Sequence, residues 1–153
     1  MRRAILALLF SFAGQAVACC QTDVMQFVAY PPELYNEKLM GDHAWRIFAT
    51  GEIDAAAGKR LAALVAEKRI PLFSYLYLHS SGGNLVGGME LGRVIRESKL
   101  ETFVGQIDPT LKYVGSKPGF CYSACATAFL GGEYRYWTNG SVYGVHGFFW
   151  NAN

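Results

Sequence analysis

A chain of 153 residues that is 52% apolar and 17% charged has the composition of one folded domain, which excludes a wholly disordered protein. Its formal charge of +2 rests on Arg2 and Arg3, and without them 12 basic residues face 12 acidic ones. No positive excess remains to mark a nucleic-acid surface, so nucleic acid is excluded as an expected partner.

The chain opens MRRAILALLFSFAGQAVACC. Two arginines, a short apolar run and Ala16-Val17-Ala18 predict a signal peptide over 1–18, cut after Ala18; the apolar run is too short to span a bilayer. The protein is therefore expected to be exported to the periplasm. A lipoprotein variant would carry its lipid on Cys19, and membrane association is expected only in that form. All four cysteines (Cys19, Cys20, Cys121 and Cys125) lie beyond the cut, where disulfides can form.

Residues 19–44 show little periodicity and a Pro31-Pro32 break, and read as an irregular lead-in to a domain over 45–153. WRIFAT (45–50) reads as a strand closed by Gly51. Asp54 then caps a helix with Ala57, Leu61, Leu64 and Val65 on its apolar face, ended by Ile70-Pro71. LFSYLYLH (72–79) is apolar on both faces, as in a buried parallel strand. SSGGNLVGG (80–88) opens a second helix, with Val86, Met89, Val94 and Ile95 on one side. LETFVGQ (100–106) is a further strand, and 107–119 reads as an inserted loop. GFCYSACATAFLGG (119–132) carries a small-residue helix opening near Ser123. YRYWT, an Asn139-Gly140 turn and SVYGVHGFF as a final strand complete the series. Alternating strands and helices predict an α/β fold with right-handed crossovers and a mainly parallel sheet.

Turns that follow parallel strands share one sheet edge, so the Gly82-Gly83 turn and Ser123 are expected as neighbours. His146 lies 23 residues beyond Ser123, on the last strand. Glycine backbone can approach a ligand closely, and N–H groups at a helix start favour developing negative charge, which together specify an oxyanion hole. Serine supplies a nucleophile and histidine a base. Ser123 also reads as a helix N-cap, a role compatible with the catalytic one. His43 and His79 receive no catalytic role. Cys121 and Cys125 read as a disulfide, as zinc ligands or as small apolar residues. Zinc wants four ligands in a structural site, i,i+4 geometry suits a disulfide poorly within a regular helix, and Cys19 or Cys20 compete as partners. The Gly82-Gly83 and Gly87-Gly88 pairs lack dinucleotide-binding spacing. No metal or other cofactor is expected.

The series FATGEID, SYLYLHSSGGNLVGGMELGRVIRE and GFCYSACATAFLGGEYRYWTNGSVYGVHG resembles the proteolytic subunit of the Clp protease, within the ClpP/crotonase superfamily. It is most similar to exported ClpP-like proteins with serine in a Cys-x-Ser-Ala-Cys setting, and the likeness covers about 45–148. The resemblance implies repeated β-α-β units, C-terminally incomplete, and an exported serine hydrolase acting on peptides or proteins. Ser123 matches the nucleophile and His146 the general base, and the backbone N–H groups of Gly83 and Ala124 match the oxyanion hole. Ser81 stands where the protease usually has proline. The family's triad aspartate follows its histidine, whereas here no Asp or Glu follows Glu133. The alternative expectation is therefore a weak or inactive ClpP-like binding or scaffolding domain, or a truncated product. Self-association into homo-oligomers is a further expectation. A crotonase-type acyl-CoA enzyme would need neither Ser123 nor His146.

If the leader is cut as expected, the exported protein begins at Cys19, and intact-mass analysis of a periplasmic fraction will find that N-terminus. A cytosolic product that retains Met1 would contradict both the compartment and the oxidising environment.

Overall fold

Apolar strands alternating with helices build a central sheet in the computed structural model, which describes residues 23–34 and 43–146. The predicted leader, Cys19, Cys20 and the 147–149 end of the last strand lie outside the described residues. In chain order the elements are β1 (Gln26–Tyr30), a short 3-10 turn (Pro32–Leu34), β2 (Arg46–Thr50), α1 (Ala57–Lys68), β3 (Tyr75–His79), α2 (Leu85–Glu97), β4 (Glu101–Val104), β5 (Gln106–Asp108), β6 (Gly115–Lys117), β7 (Phe120–Tyr122), α3 (Ala124–Phe129), β8 (Arg135–Trp137) and β9 (Val142–Gly144).

The main sheet has the order β1-β2-β3-β4-β8. β2, β3, β4 and β8 run parallel, and β1 is antiparallel at one edge. The protein is thus α/β with a mainly parallel central sheet. Register pairs Ile47 with Leu76 and Leu76 with Thr102, so Ile47, Ala49, Leu76, Leu78, Thr102 and Val104 share one face. All six are fully buried. Ala57, Leu61, Leu91, Ile95, Ala128 and Phe129 from the three helices complete the same core. Thr102 keeps its hydroxyl satisfied there by donating to the Phe129 carbonyl at 2.9 Å.

The opposite face carries Phe48, Tyr77, Phe103 and Tyr136, one from each parallel strand, with successive ring centroids 4.8 Å apart. Offset-stacked pairs of this kind contribute about 0.5–1.5 kcal/mol each beyond area burial. The β5–β6 hairpin packs beside this face, with β5 against β2 and β3. Arg46 also donates to the Val114 carbonyl at 2.6 Å. Burial pushes the Tyr77 phenol above its ordinary pKa.

Several expectations need correction. The lead-in 19–44 contains β1, which pairs along its whole length with β2. The inserted loop contains the β5–β6 hairpin. The strand expected over 72–79 begins at Tyr75, because Leu72 and Phe73 are exposed and Phe73 has φ 61°. Asp54 sits before the first turn of α1 and does not cap it: its carboxylate accepts from Ala56 N–H at 2.7 Å and pairs with Arg60. That guanidinium holds the Asp54 carboxyl below the usual carboxylate range. The Asn139-Gly140 turn is present but forms no hairpin, since β8 pairs with β4 and β9 with β7.

The largest correction concerns α2. Val86 and Met89 are exposed, at 64% and 51%, and the buried face is Gly87, Gly88, Leu91, Gly92 and Ile95. A Cβ on Gly87 would run into the Asp54 carbonyl, and one on Gly88 into the Ala124 carbonyl. Gly92 similarly faces Ala128. The glycines bring α2 into backbone contact with α3 and with the approach to α1.

Gly88→Ala sets two effects against each other. Helix propensity favours alanine by about 1 kcal/mol, whereas overpacking against rigid backbone costs about 1–3 kcal/mol. Here the obstacle is a main-chain carbonyl, so overpacking wins. The urea midpoint of Gly88→Ala is expected to fall at unchanged m-value, while Val86→Ala stays within about 0.5 kcal/mol of wild type. An unchanged or raised midpoint for Gly88→Ala would show that α2 and α3 are not packed this closely.

Candidate active site

Strand β7 leaves the main sheet. Ser80 N–H donates to the Phe120 carbonyl at 2.9 Å, and Tyr122 N–H donates to the Ser80 carbonyl at 3.0 Å. On its other side β7 pairs in parallel with β9, Tyr122 opposite Gly144. Ser123 then turns the chain into α3 with φ 56° and ψ −120°. Arg69, Phe73 and Lys99 also have positive φ, and Arg69 lies in the ordinary left-handed well. The ψ of Ser123 lies outside that well. A non-glycine residue held there costs about 1–3 kcal/mol, and this strand–serine–helix turn has the form of a nucleophile elbow.

The geometry of this turn tests the capping role read for Ser123. Its side chain makes no capping hydrogen bond to α3, so the N-cap reading fails. Ser123 is half-buried. Its N–H donates to the Gly144 carbonyl at 3.1 Å, and its carbonyl accepts from Thr127 N–H at 3.3 Å.

The Gly82-Gly83 turn lies against this elbow. A Cβ on Gly82 would stand 2.8 Å from the Ser123 Cβ and 2.8 Å from the Tyr122 carbonyl. Both glycines have positive φ, 108° and 127°. Gly82 N–H is committed to Ser80 Oγ at 3.1 Å. Gly83 N–H and Ala124 N–H have no acceptor among the described residues. Of the two turn glycines, Gly83 therefore keeps a free donor, and Ala124 provides one at the first turn of α3, where the helix cannot satisfy it. Asn84 caps α2 by accepting from Gly87 N–H at 2.8 Å, which fixes the far end of the turn.

His146, expected on the last strand, is instead exposed and lies two residues beyond β9, which ends at Gly144. Because β7 and β9 are parallel and in register, Ser123 and the Val145-His146 step leave the pair at the same edge. Asp108 and Glu133, the acids nearest in sequence, are engaged elsewhere: Asp108 accepts from Thr110, and Glu133 pairs with Arg96.

Cys121 and Cys125 form a disulfide, with Cα atoms 5.2 Å apart. It is compatible with i,i+4 spacing because Cys121 is on β7 and Cys125 on α3, with the elbow between them. Both cysteines are fully buried. Closing so short a loop contributes about 2 kcal/mol in the chain-entropy account, the same order as the cost of the elbow. No group of His, Cys, Asp and Glu suited to a metal occurs among the described residues.

Sequence reasoning missed His79. Its Nδ1 accepts from Phe120 N–H at 3.2 Å, and its ring lies 4.1 Å from that of Phe120. The imidazole thereby anchors the start of β7. Burial, then the Lys117 charge, pushes its pKa below the ordinary value of 6.5. The only sequence signal was its position at the end of a strand that leads directly into Ser-Ser-Gly-Gly. A cleft of about 310 Å³ beside this turn is lined by His79, Ser80, Ser81, Glu52 and Phe120, among others.

A depressed histidine pKa makes the unfolded chain bind more protons once pH falls below 6.5, so the His79 contribution to stability declines there and is constant above it. His79→Asn keeps an acceptor near the Nδ1 position and cannot titrate. It is expected to flatten the decline of stability between about pH 7 and pH 5, measured by urea denaturation. A wild-type slope in His79→Asn would contradict the neutral, accepting imidazole.

No protein-family model, curated protein or solved structure matches this chain in comparison with known proteins.

Proposed function

We propose that the protein is a serine hydrolase of the ClpP/crotonase-like type, exported to the periplasm and acting on peptides or proteins. The observation that carries this reading is the elbow at Ser123, a positive-φ serine between strand and helix whose side chain is not spent on capping. The contact of Gly82 with Ser123 supports it, as does the sequence resemblance over about 45–148. Export rests on the leader pattern, with lipid on Cys19 as its variant. Self-association is supported by edge strand β8, whose Tyr136 and Trp137 are exposed.

In this mechanism Ser123 Oγ attacks the scissile carbonyl carbon while its proton passes to His146. The carbonyl oxygen takes up negative charge facing Gly83 N–H and Ala124 N–H. One such donor is worth about 10²–10³ in rate. The tetrahedral species collapses, the C–N bond breaks, and the amine leaves with the proton from His146. Water, deprotonated by His146, then cleaves the acyl-serine ester and restores Ser123. No step requires a metal or another cofactor.

A fluorophosphonate probe is expected to label Ser123 in preference to the other serines. Ser123→Ala should abolish labelling and His146→Ala should slow it by about 10⁴ or more, both with wild-type circular dichroism. Absence of labelling in the folded, oxidised protein, or labelling that survives Ser123→Ala, would remove the hydrolase reading.

A further inference from the structure

Few interactions hold the Ser123 elbow. Its N–H bond to Gly144 and its carbonyl bond from Thr127, at 3.1 and 3.3 Å, are single neutral hydrogen bonds, and α3 has only six residues and no side-chain cap. The Cys121–Cys125 disulfide is the one covalent link across the elbow besides the backbone. It is placed symmetrically, two residues to either side of Ser123. Cys121 is also tied sideways, opposite Tyr143 in β9 and bridged to Ser80 beside the glycine turn. A shift of Cys121 or Cys125 therefore changes the position of Ser123 relative to Gly83, Ala124 and the end of β9 together.

The geometry points to the disulfide as the positioning element of the nucleophile: Cys121 and Cys125 hold Ser123 in its reactive backbone conformation, and the site becomes competent only after the two thiols are oxidised. This inference rests on the proposed role of Ser123. Oxidation proceeds by exchange with a partner disulfide. One cysteine thiolate attacks a partner sulfur and expels the first partner thiolate. The second cysteine thiolate then displaces the other, so two cysteine thiols and one partner disulfide become one protein disulfide and two partner thiols. Because both cysteines are fully buried in the folded protein, no reductant reaches them without opening of β7 and α3. The bridge is thus a maturation step that couples activity to an oxidising compartment, not a switch thrown repeatedly in the folded state.

The test compares the leaderless chain in three forms: oxidised wild type, wild type refolded under reducing conditions, and Cys121→Ala/Cys125→Ala. Two readouts are taken at matched folded fraction, the rate of fluorophosphonate labelling and hydrogen exchange of the Ser123 and Thr127 amides against those of β2 and β3. Loss of the bridge is expected to speed exchange at the elbow while β2 and β3 keep their protection. Labelling should slow by about 10²-fold, the scale on which small misplacements of reacting groups act. Oxidised glutathione should restore both properties to reduced wild type and neither to the double variant. Unchanged elbow exchange on reduction overturns the positioning role, whatever labelling does, and so does wild-type labelling in the double variant. If oxidised wild type is not labelled at all, the hydrolase reading fails, and exchange alone decides whether the bridge positions the elbow.

Discussion

Backbone contact at two glycines sets the geometry of everything around Ser123. At Gly82 a side chain would collide with the serine itself, and at Gly88 with the carbonyl of the next residue. These positions lie at the two ends of one short segment, the turn after β3 and the first turn of α2. The segment can rest directly on the β7–α3 junction only because both residues lack a Cβ. Dense packing against main chain leaves little room for adjustment, so the glycine segment itself is held in place against that junction. The same contacts draw α2 against α3 and thereby seal the buried face of the main sheet.

The second constraint is the way β7 is held outside that sheet. It is stitched to the end of β3 through Ser80, to His79 through Phe120 N–H, and to β9 by parallel pairing. Two sequence-distant pieces, the end of β3 and β9, thus converge on three residues of strand before the chain turns at Ser123. A neutral His79 suits this role, because an imidazole that accepts from a main-chain N–H through Nδ1 loses that acceptor on protonation. The buried disulfide adds a covalent tie across the turn that the hydrogen bonds surround. Elbow, glycine turn and strand pair form one mechanically coupled unit.

Much of this was legible in sequence where side-chain pattern determines structure. β2, β3, β4, α1 and α2 follow apolar runs and helical periodicity, and the neighbouring placement of the Ser-Ser-Gly-Gly turn and Ser123 follows from parallel topology. The burial face of α2 was misread because glycine carries no hydrophobic weight, so Val86 and Met89 drew the face toward solvent. β1 escaped notice because its burial is only partial and its order comes from pairing with β2. β5 and β6 are three residues each, too short for a period to register. The tasks of His79 and of the cysteine pair depend on where β7 lies in space. His79 and Phe120 are 41 positions apart, and no local pattern links them. Most telling is Ser123: a serine before an apolar helix is an N-cap by local rule, and only its backbone conformation separates it from that role.

The central claim is that Ser123, Gly83, Ala124 and His146 form one reacting constellation. The most direct measurement is a crystal structure of the protein covalently modified at Ser123 by a fluorophosphonate. The account predicts a phosphoryl oxygen within about 2.7–3.1 Å of both the Gly83 and Ala124 nitrogens, with the His146 imidazole in hydrogen-bond reach of Ser123 Oγ. An adduct whose phosphoryl oxygen points to solvent, or a His146 ring directed away from Ser123, would contradict it.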